Sequence, residues 1–152
     1  LDARVPLIIA SPEHPDSHGK STDALVELVD LYPTLAELAD IVPDLPSNLD
    51  GISLCPILRD PNAIVKDAAW TQHQQPFYGG EKNWRYNGRS IRTARWRFTQ
   101  WQSLDDGQIV ASELYDHQND PKETRNLAED EAYQSVVAKL ASRMEKLPSD
   151  SP

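Results

Sequence analysis

The stretch Glu113-Leu-Tyr-Asp-His-Gln-Asn-Asp-Pro-Lys-Glu-Thr-Arg-Asn-Leu-Ala128 decides the fold, because it joins a strand, a turn and the approach to a helix in one run. Leu114 and Tyr115 suit a half-buried strand, and Asn119-Asp120-Pro121 supplies residues that favour a turn. Asn126 stands where an N-cap residue would precede the apolar periodic segment that follows. The sequence therefore predicts a strand, a tight turn and a helix in that order.

The segments on either side of this stretch predict a small antiparallel sheet with one packed helix. Downstream, apolar residues recur at three- and four-residue spacing between Ala132 and Met144, which is the pattern of an amphipathic helix. Upstream, a polar turn at Thr93-Ala94-Arg95 lies between two strand-like runs and predicts a hairpin. The predicted strands are residues 68–73, the two arms of the hairpin within residues 89–102, and residues 109–115. We therefore expect about four antiparallel strands with the final helix on one face.

The first 45 residues predict one strand and one helix. Residues 5–10 have the composition of a buried strand and enter it without a turn or cap, as expected of a chain cut from a larger sheet. Residues 22–41 have helical apolar spacing, but Pro33 interrupts it, and proline in mid-helix costs about 3 kcal/mol. A helix that begins near Asp30, with the Asp30 carboxylate as its cap, places Pro33 in the tolerant first turn. Residues 25–29 are then extended or form a separate helical turn.

Composition indicates a globular chain of 152 residues, long enough for one ordinary domain, that is too acidic for a general nucleic-acid binder. It carries 24 acidic against 15 basic side chains, for a net charge of -9. Its single cysteine, Cys55, excludes an internal disulfide. No apolar run approaches the roughly 20 residues that a membrane span needs, so we expect no membrane contact.

Residues 77–101 are basic and aromatic, unlike the rest of the chain. Arginine forks bind sulfate, phosphate and carboxylate, and aromatic faces stack on sugars, so this composition favours an anionic carbohydrate ligand. Single-stranded nucleic acid uses the same chemistry. Alternating arginine and aromatic residues are also typical of a sheet with one buried and one solvated face, which leaves a structural role open. The candidate substrate-binding residues are His73, Tyr78, Lys82, Trp84 and Arg92.

Five stretches, taken in chain order, resemble the C-terminal part of type I sulfatases. They are Arg4-Val-Pro-Leu-Ile-Ile-Ala10, Leu28-Val-Asp-Leu-Tyr-Pro-Thr-Leu-Ala-Glu-Leu-Ala39, Asp50-Gly-Ile-Ser-Leu54, Ser90-Ile-Arg-Thr-Ala-Arg-Trp-Arg-Phe-Thr99 and the stretch from Glu113. The sequence of residues 25–35 and 90–93 is most similar to that of the iduronate-2-sulfatase-like members of this family.

This resemblance implies an α/β fragment of the alkaline-phosphatase-like fold. It assigns residues 1–45 to the last strand and helix of a large mixed sheet, 46–66 to a connecting segment and 67–152 to a four-stranded antiparallel sheet packed with one helix. It implies a longer sulfuric ester hydrolase that acts on sulfated, acidic carbohydrate and lies in the periplasm, the lysosome or outside the cell. The partner is then the upstream catalytic domain, and this part shapes the substrate cleft. The alternatives are a non-catalytic module that binds anionic glycans and a phosphoester or phosphonate hydrolase of the same superfamily.

No catalytic or metal-ligating residue is assigned to the chain. Its four histidines are scattered, and the spacing of His14 and His18 is broken by Pro15 and Gly19, which disfavour a helix. The sulfatase resemblance implies a formylglycine nucleophile and a calcium ion for the full-length enzyme, both upstream. Cys55 lies in Cys-Pro-Ile-Leu-Arg, which departs from the Cys-x-Pro-Ser-Arg motif that becomes formylglycine, and we expect a small buried apolar side chain there.

Overall fold

The computed structural model describes residues 4–41, 46–75 and 85–145. It divides into two compact units, Leu1–Ala69 and Trp70–Pro152, which are described separately below. None of the described helices is long and apolar enough to cross a membrane. The assignment of residues 1–45, 46–66 and 67–152 to parts of a larger fold stays a prediction.

The first unit contains the helix predicted near Asp30. Helix α1 spans Leu31–Leu38 and follows a 3₁₀ turn at Leu28–Asp30, so a separate helical turn does precede it. Pro33 is buried in the first turn of α1, where its missing N–H leaves no hydrogen bond unmade. The predicted start of the helix is therefore confirmed. A second short helix, α2 at Cys55–Arg59, lies in the segment expected to be connecting structure, and Pro56 in its first turn is the signal for it.

The expected capping role of Asp30 is wrong, because its carboxylate does not cap α1. Asp30 is fully buried and accepts hydrogen bonds from the backbone N–H of Glu27 at 2.7 Å and of Ile52 at 2.9 Å. Lys66 Nζ lies 2.7 Å from Asp30 Oδ1 and 2.7 Å from Glu27 Oε2. Burial lowers the pKa of Lys66, but its hydrogen bonds to Asp30 and Glu27 outweigh that effect and the pKa is raised. The carboxylate thus holds three separate segments of the chain together.

Two of the sulfatase-like stretches are joined to each other in this unit. Thr34 Oγ1 donates to the carbonyl of Asp30 at 2.5 Å and accepts from the backbone N–H of Leu54 at 2.9 Å. Gly51 packs so closely on the 3₁₀ turn that a methyl group there would lie 2.0 Å from the carbonyl oxygen of Val29. Contacts within the fold therefore explain Thr34 in the first stretch and Gly51 in the second.

The strand predicted for residues 5–10 is not formed in this chain. The backbone there has no strand or helix assignment, and Ile8 is 90% exposed. A strand exists only with a ladder partner, and none of the described residues pairs with this segment. The apolar composition is therefore compatible with a strand that the described part of this chain does not complete.

The described residues form a sheet of four strands, as predicted. Strands β1 at Ala68–Gln75, β2 at Tyr86–Thr93, β3 at Trp96–Ser103 and β4 at Ile109–Asp116 lie in that order. The β2–β3 and β3–β4 pairs are antiparallel. The hairpin turns at the predicted place, since β2 ends at Thr93 and its Oγ1 accepts from the backbone N–H of Trp96 at 3.0 Å. The last strand of this meander, β4, is an edge strand.

The core of the second unit lies between the sheet and the final helix. Ile91, Phe98 and Leu114 are opposite one another on neighbouring strands and are completely buried. Helix α3 at Gln134–Met144 packs on β2 and β3 and buries Leu140 and Met144. Each fully buried side chain of this kind contributes about 1.5–3 kcal/mol. The predicted amphipathic helix and its packing on the sheet are confirmed.

The expected N-cap role of Asn126 is wrong. Asn126 Oδ1 accepts from the backbone N–H of Leu114 at 2.9 Å, and its Nδ2 donates to the carbonyl of Ser112 at 3.1 Å. The backbone N–H of Leu127 donates to the carbonyl of Leu114 at 2.8 Å, so this stretch satisfies the open edge of β4. The capping residue is Asp130, which accepts from the N–H of Ala132 in the 3₁₀ turn at Glu131–Tyr133 before α3.

Candidate functional site

Side chains alternate between two faces of the sheet, and the register assigns each residue to one of them. The helix face, against which α3 packs, includes Arg89, Ile91, Trp96, Phe98 and Leu114. The other face is named the Trp101 face here, and it carries Gly88, Ser90, Arg92, Arg97, Thr99, Trp101, Glu113 and Tyr115. The predicted site residues in the described strands, His73 and Arg92, both belong to the Trp101 face.

His73 lies beside an ordered tryptophan. Its ring centroid is 4.8 Å from that of Trp101, with the rings at 88° in an edge-on arrangement. Trp101 Nε1 donates to Glu113 Oε1 at 2.9 Å. The indole lies directly on Gly88, where a methyl group would be 2.6 Å from Cζ3. His73, Trp101 and Glu113 are therefore brought together by β1, β3 and β4, with Gly88 of β2 leaving room for the ring.

Arg92 is not near this group. It lies four residues along β2 from Gly88, or about 13 Å at ~3.3 Å per residue. Its Nη1 donates to the carbonyls of Thr93 and Trp96 in the hairpin turn. The structure therefore separates His73 from Arg92, while Tyr78, Lys82 and Trp84 lie outside the described residues. A substrate-binding role for these five residues stays a prediction.

Two arginines of the basic segment form ion pairs with carboxylates that are distant in the sequence. Arg95 donates to Asp116 from Nε at 2.9 Å and from Nη2 at 2.6 Å. These bonds from Arg95, with further hydrogen bonds from Asn119 and Gln118, lower the pKa of Asp116 to about 2. Arg97 makes two 2.5 Å hydrogen bonds to the carboxylate of Glu123. Arg95 and Arg97 thus serve the fold, which the sequence alone left open.

The turn after β4 is organised by its acidic residues. Glu123 adopts a left-handed backbone conformation with φ of 55°, which residues other than glycine rarely adopt. Its carboxylate is held by Arg97 and by His117 Nε2 at 2.6 Å. Burial raises the pKa of Glu123, but the bonds from Arg97 and His117 outweigh it and the pKa is lowered. Asp120 accepts from the backbone N–H groups of Thr124 and Arg125. This stretch is therefore a structural corner.

The described residues do not fit the two groups that the sulfatase resemblance implies. Cys55 is completely buried, and its Sγ donates to the carbonyl of Thr34 at 3.9 Å, which agrees with the small buried side chain expected there. Residues 4–41, 46–75 and 85–145 contain no group of three or more His, Cys, Asp or Glu side chains arranged to hold a metal ion. No step of a reaction is assigned to this chain through either group.

A shallow cleft of about 250 Å³ opens on the helix face. It is lined by Arg89, Gln100, Gln102, Gly107, Ile109, Met144 and Glu145. Arg89 Nη2 donates to the carbonyl of Met144 at 3.2 Å, so it helps to hold the end of α3. Neither His73 nor Arg92, the two predicted site residues that the structure describes, lines this cleft. Trp101 and Glu113, which lie beside His73, were not among the predicted site residues, although a glycine inside a strand is a signal for close packing by a large neighbour.

The comparisons with known proteins agree over nearly the whole chain. The family model described as N-sulphoglucosamine sulphohydrolase, C-terminal, matches residues 2–150. Arylsulfatase K of Rattus norvegicus is 33% identical over 83% of this chain and 21% of its own length. Delta 4,5-hexuronate-2-O-sulfatase of Bacteroides thetaiotaomicron is 32% identical over 88% of this chain and 26% of its own length. The chain therefore spans about a fifth to a quarter of the length of these relatives.

A solved structure gives the same fold. The phosphonate monoester hydrolase of Agrobacterium radiobacter matches with a TM-score of 0.67 and 27% identity, over 88% of this chain and 27% of that one. The α/β fold of the described residues, with its four antiparallel strands and packed helix, is thus that of the alkaline-phosphatase-like enzymes. The chain belongs to the N-sulphoglucosamine sulphohydrolase C-terminal family, the C-terminal domain of sulfatases.

Proposed function

We propose that this chain is the C-terminal part of a longer protein, the parent, which hydrolyses sulfate esters of an acidic carbohydrate. The observation that carries the proposal is the 32% identity to a hexuronate-2-O-sulfatase over 88% of the chain. That relative's name also supports the finer proposal of an iduronate-2-sulfatase-like enzyme, whose substrate carries sulfate on the 2-position of a uronic acid.

In this proposal the chain contributes to the substrate cleft and the chemistry lies elsewhere in the parent. The calcium ion and the formylglycine belong to the upstream catalytic domain, which is the partner of this chain. The candidate cleft residues are His73, Tyr78, Lys82, Trp84 and Arg92. His73 supports the proposal most directly, because it is half-buried on the Trp101 face beside a fixed aromatic ring.

Sulfate release by the purified parent tests the reaction. The parent is expected to release sulfate from 2-O-sulfated uronic acid oligosaccharides with a higher kcat/KM than from a small aryl sulfate. Replacement of Lys82, Trp84 and Arg92, one at a time, is expected to raise KM for the oligosaccharide more than for the aryl sulfate. Equal changes in both KM values would exclude a role in the cleft.

Hydrolysis of phosphonate monoesters is the second candidate. It is favoured by the similarity to a phosphonate monoester hydrolase, with a TM-score of 0.67. Measuring kcat/KM of the parent on a matched aryl sulfate and aryl phosphonate separates the two reactions. A larger kcat/KM for the aryl phosphonate than for the aryl sulfate would overturn the sulfatase proposal and favour phosphonate monoester hydrolysis.

A further inference from the structure

We propose that Trp101, with His73 and Glu113 beside it, is a stacking platform for one uncharged sugar ring of an oligosaccharide. The inference rests on the proposed function, since it needs a carbohydrate substrate. It adds a binding residue, Trp101, that is distinct from the candidate cleft residues named above.

The orientation of the Trp101 ring is fixed before any ligand arrives. One side of the indole rests on Gly88, where any side chain would collide with Cζ3, Cε3 and Cη2. The indole N–H is held by Glu113 at 2.9 Å, which restrains rotation of the ring. A preordered aromatic side chain loses little conformational entropy on binding.

The chemistry around the ring matches a pyranose. Trp101, His73 and Glu113 are all half-buried, so part of each side chain reaches the surface. The indole offers an apolar face with partial negative charge, which suits the C–H groups on one side of a sugar. The Glu113 carboxylate accepts hydrogen bonds, and the His73 imidazole both donates and accepts, which suits the hydroxyl groups at the rim.

The local charge favours an uncharged ring over a sulfated one. Arg97, on the same face of the sheet as Glu113, already makes two hydrogen bonds to Glu123, and its Nη2 is 4.0 Å from Glu113 Oε2. The carboxylate of Glu113 would repel a sulfate placed on the indole. The sugar that stacks on Trp101 is therefore bound by contact and hydroxyl bonding, and the binding is expected to depend weakly on salt.

The test measures binding of a sulfated, uronic acid-containing tetrasaccharide to the full-length parent by calorimetry, alongside sulfate release from it and from an aryl sulfate. Trp101→Leu is expected to raise Kd for the tetrasaccharide by about three- to tenfold, from the usual worth of an aromatic contact. Trp101→Phe is expected to keep most of the affinity, and Gly88→Ala, which displaces the ring, to lose it. KM for the tetrasaccharide is expected to rise more than KM for the aryl sulfate in both Trp101→Leu and Gly88→Ala.

Trp96→Leu is the matched control, because Trp96 lies on the helix face against Tyr133. It is expected to lower the melting temperature without changing Kd. If Trp101→Leu lowers the melting temperature and leaves Kd unchanged, the ring is only structural and the proposal is overturned.

The salt dependence of binding tests whether the bound ring is uncharged. The ratio of the Kd of Trp101→Leu to the Kd of the wild type is expected to stay constant between about 50 and 300 mM salt, where screening changes strongly. A ratio that falls to one at high salt would overturn the assignment of an uncharged ring.

The platform and the proposed reaction fail separately. A parent that binds the tetrasaccharide through Trp101 but releases no sulfate would end the sulfatase proposal and support the platform. A parent that releases sulfate with the same Kd and KM in every Trp101 and Gly88 variant would end the platform alone. If the wild-type parent does not bind the tetrasaccharide, the platform proposal is also overturned.

Discussion

Arg95, in the turn between β2 and β3, makes two parallel hydrogen bonds to Asp116 at the end of β4, at 2.9 and 2.6 Å. The same carboxylate accepts from the backbone N–H of Gln118 at 3.1 Å and from Asn119 Nδ2 at 2.8 Å. Asp116 therefore ends the strand, starts the following turn and ties both to the hairpin.

Replacing Asp116 is expected to reduce the acid sensitivity of the fold. The Arg95 bonds lower the pKa of Asp116 from 3.8 to about 2, so the ionised form is favoured in the folded state. A lowered pKa stabilises the fold above pH 3.8, and this stability is lost as the pH falls towards 2. Asp116→Asn should therefore lower stability at pH 7 and flatten the pH dependence between about 4 and 2, measured by urea unfolding. Asp105→Asn, at an exposed turn, is the control. An unchanged slope in Asp116→Asn would contradict the prediction.

Asn126→Ala is expected to loosen the edge of β4. It removes the acceptor for the backbone N–H groups of Leu114 and Ala128 and the donor to Ser112, and each such bond at a partly exposed site is worth about 0.5–1.5 kcal/mol. Urea unfolding should show that loss, and amide exchange should show faster exchange at Leu114. Gln118→Ala, at an exposed position in the same turn region, serves as the control and should leave both measurements unchanged. Retained protection at Leu114 in Asn126→Ala would show that this bond is dispensable.

Lys66→Met is expected to destabilise the first unit by about 3–5 kcal/mol, because it leaves the buried Asp30 carboxylate without its cation. Asp30→Asn combined with Lys66→Met removes both charges and should recover part of that loss. The free energies of unfolding of the single and double variants measure the coupling. Strict additivity of the two substitutions would mean that the pair is not coupled.

Cys55→Ala is expected to leave sulfate release by the parent within about twofold, because Cys55 is buried and its position does not fit the nucleophile. The stability cost should be about 1 kcal/mol, as for a small core truncation. Activity assays and peptide mass spectrometry check both parts. A formylglycine mass at position 55, or loss of activity in a folded variant, would contradict this assignment.

Local pattern predicted element types far better than it predicted side-chain partners. The hairpin, the four strands and the final helix follow from alternation, turn residues and helical spacing, which act over a few neighbouring residues. Asp30 and Asn126 were both correctly identified as special, but as helix caps. Neither caps the predicted helix, and each also bonds the backbone of a distant segment, where a single sequence gives no sign of which distant N–H will be nearby.

The sequence by itself determined the sheet, its hairpin, the core helix and the resemblance to sulfatases, because each rests on a short-range pattern or on similarity between short stretches of sequence. Tertiary structure decided what the charged residues do. It paired Arg95 with Asp116 and Arg97 with Glu123, and among the described residues it left residues 5–10 without a strand partner. It also laid Trp101 on Gly88 beside His73, three residues from three different strands. Contacts of this kind depend on register and on chain crossings, which no local window of sequence contains.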